Sequence, residues 1–189
     1  MPHSALLVMD VQRSVLGRFD TSGDCLGRLG EAVAAARAAE LPVIHVVVGF
    51  RPGHPEVSPR NKSFSAVAGS GRLVTGDPGA EIHPDVAPRP EDVIVTKRRV
   101  SAFAGSDLDL VLRSAGIEHL VLTGIATSGV VLSTLRQAAD LDFRLTVLAD
   151  ACLDADPEVH RVLTEKVFPR QADVLSVADW TKGLAGDGG

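Results

Sequence analysis

The sequence predicts an α/β domain: a three-layer, doubly wound and mostly parallel sheet of six strands with helices on both faces. Six short apolar segments, rich in β-branched residues, are hydrophobic at successive positions, as are strands covered on both faces. Helical patterns lie between them, and this alternation is typical of parallel sheets. The predicted strands are residues 5–9, 43–48, 93–96, 119–123, 143–148 and 174–177.

The helical segments have recognisable ends. Ser106-x-x-Asp109 resembles a capping box at a helix start, and Gly116 gives that helix its stop. Asp156 followed by Pro157 is an N-cap with proline at the first helical position. The predicted helices are residues 26–40, 106–114, 128–140 and 158–167.

Composition narrows the class of protein. A chain of 189 residues with 45% hydrophobic residues suits one folded domain, which we assign to residues 1–183, with a flexible tail at 184–189. No apolar run approaches the roughly 18 residues of a membrane span, and no secretory signal is evident. A net charge of −5 without a basic stripe argues against nucleic acid. Two cysteines without a metal-binding spacing indicate a reduced, cytoplasmic protein.

Residues 49–91 break the alternation. They hold seven of the eleven prolines and no sustained period, yet two strands of one sheet bracket them. Long loops in compact domains are usually functional. We therefore expect an ordered excursion over the active-site edge rather than a domain linker.

Three strand ends carry residues suited to chemistry. Asp10 closes the first strand, followed by Gln12, and Lys97 closes the third. Ligands of open α/β sheets bind beyond the carboxyl ends of strands. A carboxylate there can exchange protons, and a nearby lysine can stabilise negative charge. We expect the strands that end at Asp10, Lys97 and Thr123 to lie in the middle of the sheet. We also expect the side chains of Asp10 and Lys97 to lie within salt-bridge reach of each other, close to residue 130.

The turn after Thr123–Gly124 leads directly into a helix. Its amides and helix N-terminus suit an anion or oxyanion. Many hydrolases place a Cys or Ser nucleophile at such a turn, but residues 126–131 contain no thiol. Ser128 is either an N-cap or a replacement nucleophile, and Cys152, past a later strand, is either a small buried residue or a reactive thiol.

The chain resembles the isochorismatase-like hydrolases, the superfamily of isochorismatases, nicotinamidases and related cysteine hydrolases. The matching segments are LLVMDVQ around Asp10, Lys97-x-x-x-Ser101-Ala102-Phe103, and Thr123-Gly124-Ile125-Ala126-Thr127 through Val131, and the stretch from LADAC to QADV is also similar. The resemblance extends from about residue 5 to 179.

This resemblance implies roles for individual residues. Asp10 and Lys97 match two members of the Asp–Lys–Cys triad of the family's amidases, and Val130 stands at the position of the cysteine. Valine cannot attack a carbonyl, so thioester chemistry at this position is excluded. The resemblance also implies a cis peptide at Ile125–Ala126, oxyanion-binding amides at Ala126 and Val130, and a homodimer or homotetramer.

The resemblance does not extend to a metal site. Nicotinamidases carry an Asp-x-His-x-x-His pattern after the second strand, whereas this region offers His45 within an apolar strand and His54 and Glu56 in a loop. A core histidine with satisfied hydrogen bonds is the simpler interpretation of His45. We expect no metal and no cofactor.

The sequence-based hypothesis is a metal-free hydrolase of a small organic molecule. Asp10 exchanges a proton, Lys97 positions it, and residues 126–130 bind an oxyanion or carboxylate. Two alternatives stay open: a catalytically silent small-molecule-binding protein of the same fold, and an amidase whose nucleophile is Cys152 or Ser128. The residues expected to bind substrate are Gln12, Phe103, Ala126, Ser128 and Gly129.

Overall fold

The computed structural model describes residues 3–186 and contains one six-stranded sheet in the order β3–β2–β1–β4–β5–β6. Every neighbouring pair of strands is parallel. The predicted α/β fold class is therefore confirmed. The strands are β1 (Ser4–Met9), β2 (Val43–Val48), β3 (Val93–Lys97), β4 (His119–Ile125), β5 (Arg144–Leu153) and β6 (Asp173–Leu175).

Seven α-helices accompany the sheet within residues 3–186. One π-helical turn, Thr127–Val131, precedes α5, and a second, Leu163–Val167, follows α6. Four of the helices match the predicted ones to within a few residues. The sequence patterns did not predict α1, α3 or α7. The helices are α1 (Arg13–Leu16), α2 (Cys25–Ala38), α3 (Lys62–Gly69), α4 (Leu108–Ser114), α5 (Leu132–Asp140), α6 (Pro157–Val162) and α7 (Val177–Gly186).

The helix starts differ in their capping. Asp156 accepts a hydrogen bond from the Glu158 amide, with Pro157 at the first helical position, as its sequence predicts. The capping box predicted at Ser106 is absent: α4 begins at Leu108, and the Ser106 hydroxyl donates to the Ala102 carbonyl instead. The hydroxyl oxygen also accepts from the Leu108 amide at 3.3 Å, but the N-cap residue is Asp107, one position later than the capping box requires.

Helices cover both faces of the sheet. The side chains of α2 and α7 pack with one set of strand residues, and those of α4 and α5 pack with the other set. All residues of β1 and β4 are buried. Continuous apolar strands are therefore explained by burial on two faces, with apolar burial as the main stabilising contribution.

β3 is an edge strand, so the expectation that it lies in the middle of the sheet was wrong. Val93 and Ile94 are 40% and 50% exposed. From β1 the chain winds outward through β2 to β3, and then crosses to β4 on the other side of β1. This reversal creates a topological switch point between β1 and β4, where doubly wound sheets bind ligands beyond the strand ends.

The excursion 49–91 folds against the carboxyl edge of the sheet. It contains α3 and two 3₁₀ turns, and Phe50 and Phe64 bury their rings edge to face within a small core of their own. The Val11 carbonyl accepts from the His83 amide, and the Arg13 amide donates to the Glu81 carbonyl. The excursion is therefore hydrogen-bonded to the segment that follows Asp10.

The C-terminal boundaries differ from those predicted. β6 ends at Leu175, and α7 starts at Val177 because Val177 and Trp180 bury their side chains against the α2 face. α7 continues to Gly186, into the segment 184–189 expected to be a flexible tail, whose residues 187–189 lie outside the described part of the chain. No helix within residues 3–186 combines the length and apolarity that crossing a bilayer requires.

Gly124 lets β4 approach β1 at the switch point. Its φ is +140°, and an added Cβ would lie 2.2 Å from the Met9 carbonyl oxygen. Only glycine avoids both the clash and the backbone strain. The backbone next to Asp10 therefore depends on this residue.

We expect Gly124→Ala to lower the free energy of unfolding by about 4 kcal/mol or to prevent folding, because the clash involves backbone that cannot move aside. Gly129→Ala is the matched control: an added Cβ there has its nearest contact at 3.7 Å, on Ala126. Urea denaturation of both variants checks this. Equal stability of the two would contradict the close approach.

Candidate active site

Asp10 and Lys97 form an ion pair at the carboxyl edge of the sheet. Lys97 Nζ lies 2.9 Å from Asp10 Oδ2, and the two side chains are 2% and 10% exposed. The predicted contact is thus confirmed, although β1 and β3 are not neighbours. The Lys97 side chain reaches past the end of β2, and its ammonium also donates to the Arg99 carbonyl at 2.9 Å.

The two carboxylate oxygens of Asp10 have different surroundings. Oδ2 is held by Lys97, whereas Oδ1 is buried and has no hydrogen-bond partner among residues 3–186. Burial raises the pKa of Asp10, and the Lys97 ammonium opposes the rise. Asp10 also adopts a φ of +57°, which bends the chain sharply after β1. Oδ1 is therefore the oxygen that is available for proton exchange.

Gln12 connects the end of β1 to β2 and to the excursion. Its Nε2 donates to the Val48 and Ala80 carbonyls, and its Oε1 accepts from the Val48 amide. Both amide hydrogens are used, and the residue is fully buried. These contacts assign Gln12 a role in holding the strand ends, and its expected role in binding substrate stays a prediction.

The turn after β4 lies at the switch point. The Ile125–Ala126 peptide is cis, and Ala126 O accepts from the amides of Gly129 and Val131. Val130 is 2% exposed and belongs to the core cluster that contains Met9 and Phe103. The position at which the sequence resemblance places a cysteine is therefore filled by a packed aliphatic side chain.

A segment after β5 clamps this turn. The Ser128 amide donates to Asp154 Oδ2 at 2.6 Å, and Thr127 Oγ1 and His160 Nδ1 share a hydrogen bond at 2.8 Å. The register between β4 and β5 shifts after Leu122, so that Ile125 pairs with Leu153. Asp154, the next residue, therefore follows the strand end beside the turn. Sequence reasoning missed both Asp154 and His160. The Asp156–Pro157 cap, which places His160 one turn into α6, was the available signal.

The loop after Lys97 is anchored on α5. Ser101 donates to Gln137 Oε1, and the Ala102 amide donates to Thr134 Oγ1. Phe103, expected to bind substrate, is 8% exposed, with its ring centroid 6.0 Å from that of Phe143. The loop thus fixes the end of β3, and Phe103 packs in the adjacent core.

Comparison with known proteins identifies the family. Residues 4–179 match the isochorismatase domain. The chain belongs to the isochorismatase family. It is 37% identical to the ureidoacrylate amidohydrolase RutB of Pseudomonas syringae, over 82% of this chain and 72% of RutB. It is 34% identical to the isochorismatase family protein YecD of Escherichia coli O157:H7, over 96% of both chains.

Solved structures show the same relationship. An isochorismatase family protein from Burkholderia thailandensis is 30% identical and superposes with a TM-score of 0.82, over 98% of this chain and 97% of its own. A second structure, described as a putative isochorismatase from Burkholderia xenovorans, is also 30% identical, with a TM-score of 0.81 over 98% and 88% of the two chains. The protein is therefore a hydrolase of the isochorismatase family.

The two thiols of this isochorismatase-family chain are poorly suited to nucleophilic attack. Cys152 is 4% exposed, and burial raises its pKa. Burial, together with Asp150 and Asp24, raises the pKa of Cys25 to about 11. A reactive cysteine needs a lowered pKa in an accessible, electropositive site. Both cysteines therefore lack the required surroundings.

The residues considered as metal ligands lie apart. His54 Nε2 contacts the Arg72 carbonyl, and Glu56 pairs with Arg51. His45 is a core residue, but neither ring nitrogen makes a hydrogen bond in the described structure, and Nε2 lies 3.5 Å from Asp92 Oδ2. Nowhere in residues 3–186 do three His, Cys, Asp or Glu side chains come together as a ligand group.

We expect acid to weaken the clamp. Burial lowers the pKa of His160, against the opposing effect of Asp154. A histidine with a lowered folded-state pKa contributes fully to stability above its unfolded pKa of about 6.5, and the contribution is lost as the pH falls below that value. The free energy of unfolding should therefore fall between about pH 7 and about pH 5.

His160→Asn, which keeps a polar group but does not titrate in this range, should show a smaller fall, measured by urea denaturation at both pH values. His3→Asn, which alters an exposed histidine, is the control. The same pH dependence in His160→Asn and the unmodified protein would remove His160 from the clamp.

Proposed function

We propose that this isochorismatase-family hydrolase cleaves a small organic molecule with Asp10 as its proton-transfer group, without a metal and without a cysteine thioester. The observation that carries the proposal is the asymmetry of Asp10. Lys97 holds Oδ2 at 2.9 Å, while Oδ1 is buried without a partner among residues 3–186. A positioned carboxyl of raised pKa is suited to general acid–base catalysis.

The reaction that follows is a hydrolysis by water. The water oxygen bonds to the electrophilic carbon of the substrate as the bond to the leaving group breaks. Asp10 accepts the proton released by water and returns a proton to the leaving atom, so that it ends in its starting state. Lys97 stabilises the carboxylate form, and the backbone of residues 126–130 binds the developing oxyanion or a substrate carboxylate.

Other nucleophiles fit less well. Val130 offers no nucleophilic atom, and Cys152 is buried with a raised pKa. Ser128 is exposed, but its described bond joins the amide to Asp154, and no base is seen on the hydroxyl within residues 3–186. The amidase alternative and the silent binding protein are therefore outcomes of the tests below. Cytoplasmic location and a dimeric or tetrameric state stay predictions.

Asp10→Asn should lower turnover by about 10²–10⁴-fold, because the amide cannot exchange the proton. Cys152→Ser should keep most of the activity, since it changes packing alone. Turnover is measured on a panel of small esters, amides and vinyl ethers, with thermal unfolding as the check on folding. Activity that survives Asp10→Asn but is lost in Cys152→Ser would show that the nucleophile is the Cys152 thiol and would overturn the role of Asp10. No turnover by the unmodified protein would favour the binding protein.

Val130→Cys should create weak amidase activity with an acyl-enzyme adduct at residue 130, because a thiol would join the existing ion pair and turn amides. A nucleophile misplaced by about 1 Å loses roughly a hundredfold in rate, so the gain is small. Mass spectrometry of the substrate-treated protein detects the adduct. Val131→Cys, a thiol one residue further into the core, is the matched control and should stay unmodified.

The same measurement tests the unmodified protein. It should carry no covalent adduct during turnover. An acyl group on Cys152 or Ser128 would overturn the water mechanism and establish the amidase with an unexpected nucleophile.

A further inference from the structure

Three consecutive cationic residues, Lys97, Arg98 and Arg99, begin at the last residue of β3. Two of them have acidic partners. Lys97 pairs with Asp10. Arg98 Nε lies 3.5 Å from Glu56 Oε1, and its Nη1 donates to the Gly49 carbonyl at 2.6 Å. Glu56 also pairs with Arg51, so a single carboxylate on the excursion is shared by two guanidinium groups.

Arg99 is held differently. Its Nη1 donates to the Arg98 carbonyl at 2.7 Å and its Nη2 donates to the Glu56 carbonyl at 3.0 Å. No carboxylate oxygen of an Asp or Glu lies within 4 Å of its guanidinium in the described part of the chain, residues 3–186. The side chain is half-buried. A guanidinium has five N–H donors, so two carbonyl contacts fix its position and leave donors and a full charge uncompensated.

Arg99 also lies beside the candidate acid. Its backbone carbonyl accepts from Lys97 Nζ at 2.9 Å, and the same ammonium contacts Asp10. The side chain then extends from this point to the excursion. Arg99 thus joins the Asp10–Lys97 pair, through its carbonyl, to Glu56 of the excursion, through its guanidinium.

We propose that Arg99 is an anion-binding residue that selects substrates carrying a carboxylate or a similarly planar oxyanion. Guanidinium groups bind such anions through paired N–H donors, and partial burial strengthens the attraction. The proposal rests on the proposed function, since it takes the Asp10–Lys97 pair as the reacting centre. Arg99 then holds the anionic end of the substrate while the bond to be cleaved faces Asp10.

The test compares benzoate with benzamide, probes of closely similar shape that differ in charge, by isothermal titration calorimetry in low-salt buffer. The unmodified protein should bind benzoate at least about tenfold more tightly than benzamide. Arg99→Gln should lose this preference, whereas Arg99→Lys should keep part of it because the charge remains. Arg51→Gln is the matched control: this arginine is exposed and already paired with Glu56, and its loss should leave the preference unchanged.

Three results would overturn the proposal. They are no benzoate binding by the unmodified protein at millimolar concentration, equal affinity for the two probes, and an unchanged preference in Arg99→Gln. If Arg99 only ties the loop to the excursion, Arg99→Gln lowers the melting temperature without altering the ratio of affinities, which also overturns it.

Failure of this proposal can be told apart from failure of the proposed function. Benzoate binding requires no turnover, so the anion site stands if Asp10→Asn leaves hydrolysis unchanged. Conversely, Asp10-dependent cleavage confined to uncharged substrates leaves the proposed function in place and removes the anion site.

Discussion

The buried ion pair between Asp10 and Lys97 links the end of β1, a central strand, to β3, the outer strand of the sheet. The strands that carry the two residues do not touch, so the contact depends on the register of the strand between them, which pairs Val46 with Met9 and Val48 with Lys97. Removing one partner of a buried ion pair typically costs about 3–5 kcal/mol, because the other charge is left without compensation. The packing of the strand ends and the proposed chemistry therefore both depend on this contact.

Val130 stands where the sequence resemblance places the cysteine of the family's amidases. The turn keeps its tight approach to β1 and its hydrogen bonds to the segment after β5, yet the side chain at its centre packs with Met9 and Phe103. A valine here contributes apolar burial where a thiolate would require polar surroundings. Under the proposed function, the reacting group at this edge is the Asp10 carboxylate with the cations around it.

The strands, the principal helices and the Asp10–Lys97 contact could be predicted because each depends on local pattern or on the shared edge of parallel strands. Strand order could not: a buried apolar run has the same composition in the centre of a sheet and near its edge, and β3 was misplaced for this reason. The Thr127–His160 bond spans 33 residues and depends on a register shift in β5 that no local pattern marks. The partners of Gln12 are backbone atoms, which sequence patterns do not reveal.

Gln12 links the excursion to the carboxyl edge of the sheet by hydrogen bonds. Gln12 lies two residues after Asp10, and its side-chain amide bonds both to Val48 at the end of β2 and to the Ala80 carbonyl of the excursion. Exchanging the excursion for that of a relative would therefore remove a hydrogen bond that holds the segment after Asp10. A loop grafted in its place must bring a carbonyl to the position of Ala80, or one amide hydrogen of the buried Gln12 is left without an acceptor.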